Sequence, residues 1–155
     1  MGYWKAALVV NVAFFGTFSV IMLFSLTTVC GDWLPFMDIS KIDSDSLYDF
    51  KTTVDAIARI LGIETLAFLS GPLLLGADPL MFQTCFLIFV VVGIWPMVGF
   101  VFFMPICAGL WLPKAEMAAY LLVIVPLNVL SYRELKGSQG ETEASIGNSL
   151  TASLT

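Results

Sequence analysis

Two stretches without a single charge limit what this chain can become more than any other feature. Residues 6–31 carry none, and neither do residues 79–113. A helix needs about 20 predominantly apolar residues to cross a hydrocarbon core, so each run is long enough for a membrane span. A mean hydropathy of +0.93 and a charged fraction of 12% over 155 residues place the whole chain outside the range of soluble domains. The expected fold is all-α: an integral membrane antiparallel four-helix bundle with spans at about 6–30, 54–77, 80–104 and 115–132, and an amphipathic interfacial extension before the second span.

Tyr3, Trp4 and Lys5 precede the first span and Trp33 follows it, as interfacial anchors do. A cleaved signal peptide is the rival reading, with residues 29–31 as a small-residue cleavage site. Its apolar region would run only about 7 to 15 residues, well short of this stretch. Residues 31–53 form an acidic connection, with Asp32, Asp38, Asp43, Asp45 and Asp49 against Lys41 and Lys51. The run from Asp43 resembles the start of a calcium loop, but Tyr48 stands where the turn glycine belongs and Val54 where the bidentate Glu belongs. Ser44 or Asp45 as a helix cap fits better, with the acids complementing the helix dipole. Leu47, Phe50, Val54, Ile57 and Leu61 then recur at helical spacing, so the helix begins outside the bilayer and runs along the interface before entering it.

Arg59 and Glu64 are the charges embedded in the second span. Asp55 lies four residues before Arg59 in the favourable acid-first order, which predicts an interfacial ion pair of Asp55 with a snorkelling Arg59. Glu64 is roughly 7.5 Å deeper along the helix, where a charged side chain costs roughly 2.5 to 3.5 kcal/mol. It is therefore the candidate ligand or proton site, together with Asn128 of the last span. Asn11, Thr17 and Gln83 are further partners within reach of the same core. The structural alternative is a protonated, hydrogen-bonded carboxyl that holds the bundle together, and both readings stay open. Ala58 with Gly62, and Ala67 with Gly71, supply two spacings of small residues that let helices approach closely.

Residues 79–113 exceed one span but leave no loop for two. They predict one long helix, loosened at Gly93, Pro96 and Gly99, and a hydrophobic connection at 105–113, with a re-entrant or additional span as the rival. Lys114 and Glu116 open the last helix. Residues 133–155 are rich in Ser, Thr, Gly and Glu and predict a disordered polar tail after the bundle of residues 1–132. The topology brings Cys30 and Cys107 to one face, allowing a disulfide on an oxidising side; their other reading is as small buried hydrophobes. Lys5, Arg133 and Lys136 on the terminal side balance Lys41, Lys51 and Lys114 on the other. The bases nearest the span ends favour cytoplasmic termini.

The net charge of −5, from 12 acids against 7 bases, excludes a nucleic-acid partner, since no basic stripe exists to neutralise phosphates. The absence of histidine removes the usual general base and the commonest ligand for zinc or haem. No Ser-His-Asp set, phosphate loop or metal-ligand cluster is visible, so no cofactor or metal is expected. Phe14, Phe15, Phe18, Trp95, Phe100, Phe102, Phe103 and several methionines make a bulky apolar interior able to accept a lipid, quinone or sterol-like molecule. The run Ala58-Arg59-Ile60-Leu61-Gly62-Ile63-Glu64 followed by Leu69-Ser70-Gly71, set after a long first span and a polar connection, resembles the small four-helix DoxX-like membrane proteins. The long acidic connection and the aromatic third span depart from that pattern. The resemblance implies a four-helix antiparallel bundle and an accessory role. The function expected is that of an accessory or structural multi-pass protein, holding an apolar ligand or lipid near Glu64 and partnered by membrane lipids, membrane proteins or a second copy. A proton or small-solute carrier using Glu64 is the alternative, and a lipid- or quinone-modifying enzyme comes third.

Overall fold

The structure is a computed structural model that describes residues 2–107 and 109–153. It is all-α, with no strand among the described residues. Four helices are long and apolar enough to cross a membrane: Tyr3–Phe24, Ser44–Leu74, Pro79–Phe103 and Trp111–Thr142. They are called the first to fourth helices below. Three contain a π-wound turn, at Val12–Gly16, Gly99–Phe103 and Tyr120–Ile124.

The first helix ends at Phe24, earlier than the apolar run predicts. Ser25 is extended, with φ −160° and ψ 104°, and the chain restarts as a short helix, Leu26–Thr28, that passes into a π turn at Val29–Trp33. The second helix begins at Ser44 behind Asp43, with Asp45 in its first turn, and continues without a break through Pro72 to Leu74. The amphipathic extension and the span behind it are thus one helix. Gly76, at φ +61°, takes the left-handed conformation that ends it. Asp78 then caps the third helix by accepting the Met81 N–H at 2.7 Å, and Pro79 sits at the first helical position, where its missing N–H costs nothing.

The third helix is a single element, and a connection over residues 104–110 leads to the fourth. The fourth starts at Trp111 and, beyond its π-wound turn, continues as α-helix from Val125 to Ser153, across most of the stretch for which composition predicts a disordered tail. No proline interrupts it after Pro126, and Leu, Glu, Lys, Gln and Ala all favour helix. The hydroxyls of Ser138 and Thr142 fold back onto the carbonyls of Glu134 and Ser138, both at 3.0 Å. Positions 154 and 155 of the expected tail lie outside the described residues, as do Met1 and Ala108.

The first helix packs on the second and on the fourth, and the third packs on the fourth. The second and third are consecutive yet meet sparsely, mainly beside the turn, where Phe68 stacks on Phe82 and Phe86 at 5.1 and 5.9 Å. One apolar core gathers Leu69, Phe82, Phe86, Val90, Tyr120 and Ile124; Phe15 leans edge-on against Phe86 at 5.3 Å. A second core, at the end carrying the two longer connections, gathers Cys30, Phe36, Met37, Ile106 and Cys107. Those connections are tied to each other by the Asp38 N–H donating to the Ile106 carbonyl at 2.7 Å and by Lys41 Nζ donating to the Pro105 carbonyl at 3.2 Å.

Gly62 sets how closely the first two helices approach. A Cβ there would stand 2.9 Å from the Ser19 carbonyl oxygen and 3.2 Å from Met22 Cβ, and the former is backbone that cannot turn aside. At Gly71 the nearest atom to such a Cβ would be Ala77 Cβ at 3.8 Å, an ordinary contact. Gly62→Ala should therefore destabilise the fold by about 1–3 kcal/mol, the usual cost of overpacking, whereas Gly71→Ala should be near neutral. Thermal unfolding of the two purified variants in detergent checks this. Equal midpoints would contradict the close approach.

Candidate functional site

The inward face of the second helix is made by Ala58, Gly62 and Leu69, all buried. Glu64 follows Gly62 by two residues, about 200° round the helix, and so is turned away from the first helix. It is exposed from the fold and has no hydrogen bond or ion pair among the described residues. The Ala58–Gly62 spacing serves close packing, while Ala67 of the second spacing is exposed.

Asp55 and Arg59 lie on the side facing the first helix, where both engage its break. Asp55 accepts the Thr27 N–H at 2.9 Å and the hydroxyls of Ser25 and Thr27 at 2.8 and 3.1 Å. Arg59 Nη2 donates to the Phe24 carbonyl at 2.8 Å. Phe24 and Thr27 flank the extended Ser25, so these are backbone groups that the interruption takes out of the helical ladder. The spacing that predicts an Asp55–Arg59 ion pair therefore serves a different end, with the two charges satisfying a broken helix between them.

Asn128 sits in the deepest polar cluster. It exchanges side-chain amide bonds with Asn11 at 2.8 and 3.0 Å, and its Nδ2 also donates to the Ile124 carbonyl at 2.8 Å. Gln83 Nε2 donates to Asn128 Oδ1 at 2.8 Å and to the Asn128 carbonyl at 3.1 Å. All three amides are fully buried. Asn11 and Gln83, expected as partners for Glu64, bind Asn128 instead, and Glu64 and Asn128 are not brought together. Gln83 Oε1 and Ser131 Oγ are buried without a partner among the described residues.

Glu64 lines a groove between the second and third helices. Its stretch nearest the turn encloses about 290 Å³ among Leu61, Glu64, Thr65, Phe68, Cys85 and Phe89. The next, of about 310 Å³, shares Leu61, Thr65 and Phe89 and is floored by Phe14, Phe15 and Phe18 of the first helix. The last, of about 340 Å³, shares Phe18, Met22, Leu61, Pro96 and Met97 with its neighbour and ends at Cys30, Phe36 and Met37. Leu61 lines all three, so they adjoin one another along the groove. Glu116 lines the second and third stretches, half-buried and without a hydrogen bond or ion pair among the described residues. Sequence reasoning passed over this residue, because beside Lys114 it reads as part of a polar helix start. The signal was there: positions 112, 113, 119 and 120, one turn away on either side, are Leu, Pro, Ala and Tyr, so no base can reach it along its own helix.

Cys30 and Cys107 meet in the second core as free, buried thiols. Burial pushes both up to about 11, with the Glu116 charge adding to the effect at Cys30 and Lys41 opposing it at Cys107. On the outer side of that core, the Asp38 carboxyl is held below its ordinary value, chiefly by the Ser40 hydroxyl and then by Lys41.

Set against protein-family models, curated proteins and solved structures, the chain matches none.

A thiol of ordinary pKa near 9 is about one-tenth thiolate at pH 8, and one raised to about 11 is about one-thousandth thiolate. In a Cys85→Ser variant, alkylation at pH 8 should thus run about a hundredfold slower in the folded protein than after unfolding, and should speed up as the pH approaches 11. Mass spectrometry of time points reads this directly. Fast labelling of Cys30 or Cys107 in the folded protein would contradict their burial.

Proposed function

We propose that this chain is a small multi-pass membrane protein, an antiparallel four-helix bundle of accessory type that holds an apolar ligand or lipid in the groove beside Glu64. Support for the membrane placement comes from an inverted distribution of polarity. Asn11, Gln83 and Asn128 are fully buried, whereas Ile88, Val92, Trp95 and Phe103 of the third helix are exposed, Trp95 and Phe103 at 79% each. Soluble domains hide such residues, and a lipid solvent removes the reason to hide them. Hydroxyls within the helices bond back to their own carbonyls, Ser19 to Phe15 at 2.6 Å and Thr84 to Leu80 at 2.7 Å, leaving little polar surface for water. Trp33 and Trp111 are exposed beside the longer connections, where interfacial anchors belong.

The antiparallel order is supported by contacts that climb one helix while descending the other. Trp4 N–H meets Glu134 at 2.8 Å and Asn11 meets Asn128. Gly62 faces Ser19, and Asp55 faces Thr27. The same order agrees with the DoxX-like pattern carried by residues 58–71, which we retain as part of the proposal.

The groove is the observation that carries the ligand-binding reading. It is apolar over three connected stretches, it is open between two helices that a packed bundle would bring together, and carboxyls line it in place of bases. The carrier alternative draws on the same carboxyls, since Glu64 and Glu116 mark two positions along one groove.

Leu61→Trp would fill the groove where its stretches join. It should weaken binding of an apolar fluorophore by at least about tenfold, while leaving the unfolding midpoint near that of the unaltered protein, because Leu61 is exposed. Unchanged binding would remove the groove as the site. Glu64→Gln separates the two roles. Under the accessory reading the variant keeps its fold and binding, and pH-dependent proton flux in proteoliposomes is absent with or without the substitution. Flux that the substitution abolishes would establish the carrier instead.

A further inference from the structure

We infer that the groove takes a single-chain amphiphile with a protonated amine head, the head seated against Glu116 and the tail lying toward Glu64. This rests on the proposed groove and adds the chemistry of its occupant.

Glu116 is the acid shared by the two stretches nearest the longer connections, and it is half-buried with no bond to any described residue. Neither Lys nor Arg lines any of the three stretches. Lys114 is two residues earlier, about 200° round the helix, and exposed. The other polar side chains along the groove are Ser19, whose hydroxyl is bound to the Phe15 carbonyl, Tyr120, whose hydroxyl donates to the Val90 carbonyl at 2.7 Å, Thr65, Glu64 and the thiols of Cys30 and Cys85. A head entering the two stretches nearest the longer connections therefore meets Glu116 as their one acid, beside hydroxyls of Ser19 and Tyr120 that are already bound, while the second unpaired acid, Glu64, lines the stretch nearest the turn. An ammonium offers it charge and up to three N–H donors, an alcohol a single neutral donor, and a carboxylate or phosphate is repelled.

Depth fits the same orientation. Glu116 lies five residues beyond Trp111, roughly 7.5 Å along the helix, so a head there sits just inside the level of the interfacial tryptophan. The groove then runs past Met97, Phe89 and Thr65 toward Glu64, along walls suited to an alkyl chain. Its stretches of about 290 to 340 Å³ overlap in their linings.

Matched amphiphiles that differ only in the head test this. Tetradecylamine, tetradecanol and tetradecanoic acid are titrated against a bound apolar fluorophore, using the full chain in neutral-detergent micelles at pH 7.5. The amine should displace the fluorophore at a concentration about tenfold or more below the alcohol, the gain expected of a charge-assisted hydrogen bond, and the acid should be weakest. Glu116→Gln should erase the advantage of the amine while leaving the alcohol midpoint unchanged. Glu116→Asp should retain part of the advantage. Equal displacement by all three, or an amine advantage that survives Glu116→Gln, overturns the head assignment and leaves the groove standing. A fluorophore that does not bind, or that none of the three displaces, overturns the groove itself. Should Glu116→Gln fail to fold, an alcohol-over-amine or acid-over-amine order in the unaltered protein overturns the proposal without it.

Discussion

Asn128 is the point at which three of the four helices are held in register. Its side-chain oxygen accepts from Asn11 and Gln83, its backbone carbonyl accepts from Gln83 again, and its amide nitrogen donates to Asn11 and to the Ile124 carbonyl. Such directional contacts matter most where apolar burial offers no preference between helix and solvent, as in a bilayer; there each is worth about 0.6 to 2 kcal/mol. The second helix has no part in the cluster. It is held to the first by the close approach at Gly62 and by Asp55 and Arg59 across the break at Ser25. The fold thus divides into three helices joined through buried amides and a fourth element attached mainly along one side.

That division was only half legible in the sequence. Uncharged runs announced the helices, and Asn128 stood out as an amide inside an apolar segment. The break at Ser25 did not stand out, because no proline or glycine marks it and its cause lies thirty residues away in the chain. Asp55 and Arg59 are close to a matched pair by spacing, and spacing alone makes them an ion pair. What redirects them is a competing demand: a carbonyl and an N–H released by an extended residue have no other partner, whereas two charges near an interface have water.

The two carboxyls of the groove stood very differently in the sequence. Glu64 was conspicuous by its isolation, but isolation says nothing of direction. Direction is set by Gly62, the residue that can come within reach of the Ser19 carbonyl, and Glu64 follows it round the helix to the outer side. Glu116 was inconspicuous, since a Lys two residues away makes a polar helix start seem complete. Helical geometry puts the two side chains on opposite faces, and only the groove shows which face the acid occupies.

One-sided attachment of the second helix also bears on how the groove behaves. It is closed at the turn end by Phe68 on Phe82 and at the other by the core around Cys30, Phe36 and Met37. Between those ends few contacts join the second and third helices. The Asn11–Gln83–Asn128 cluster contains no residue of the second helix, so a shift of that helix relative to the third breaks no buried amide bond. A tightly packed bundle of four would lose core contacts by the same movement. Leaving the second helix out of the polar cluster therefore separates the element that borders the groove on one side from the elements that keep the fold.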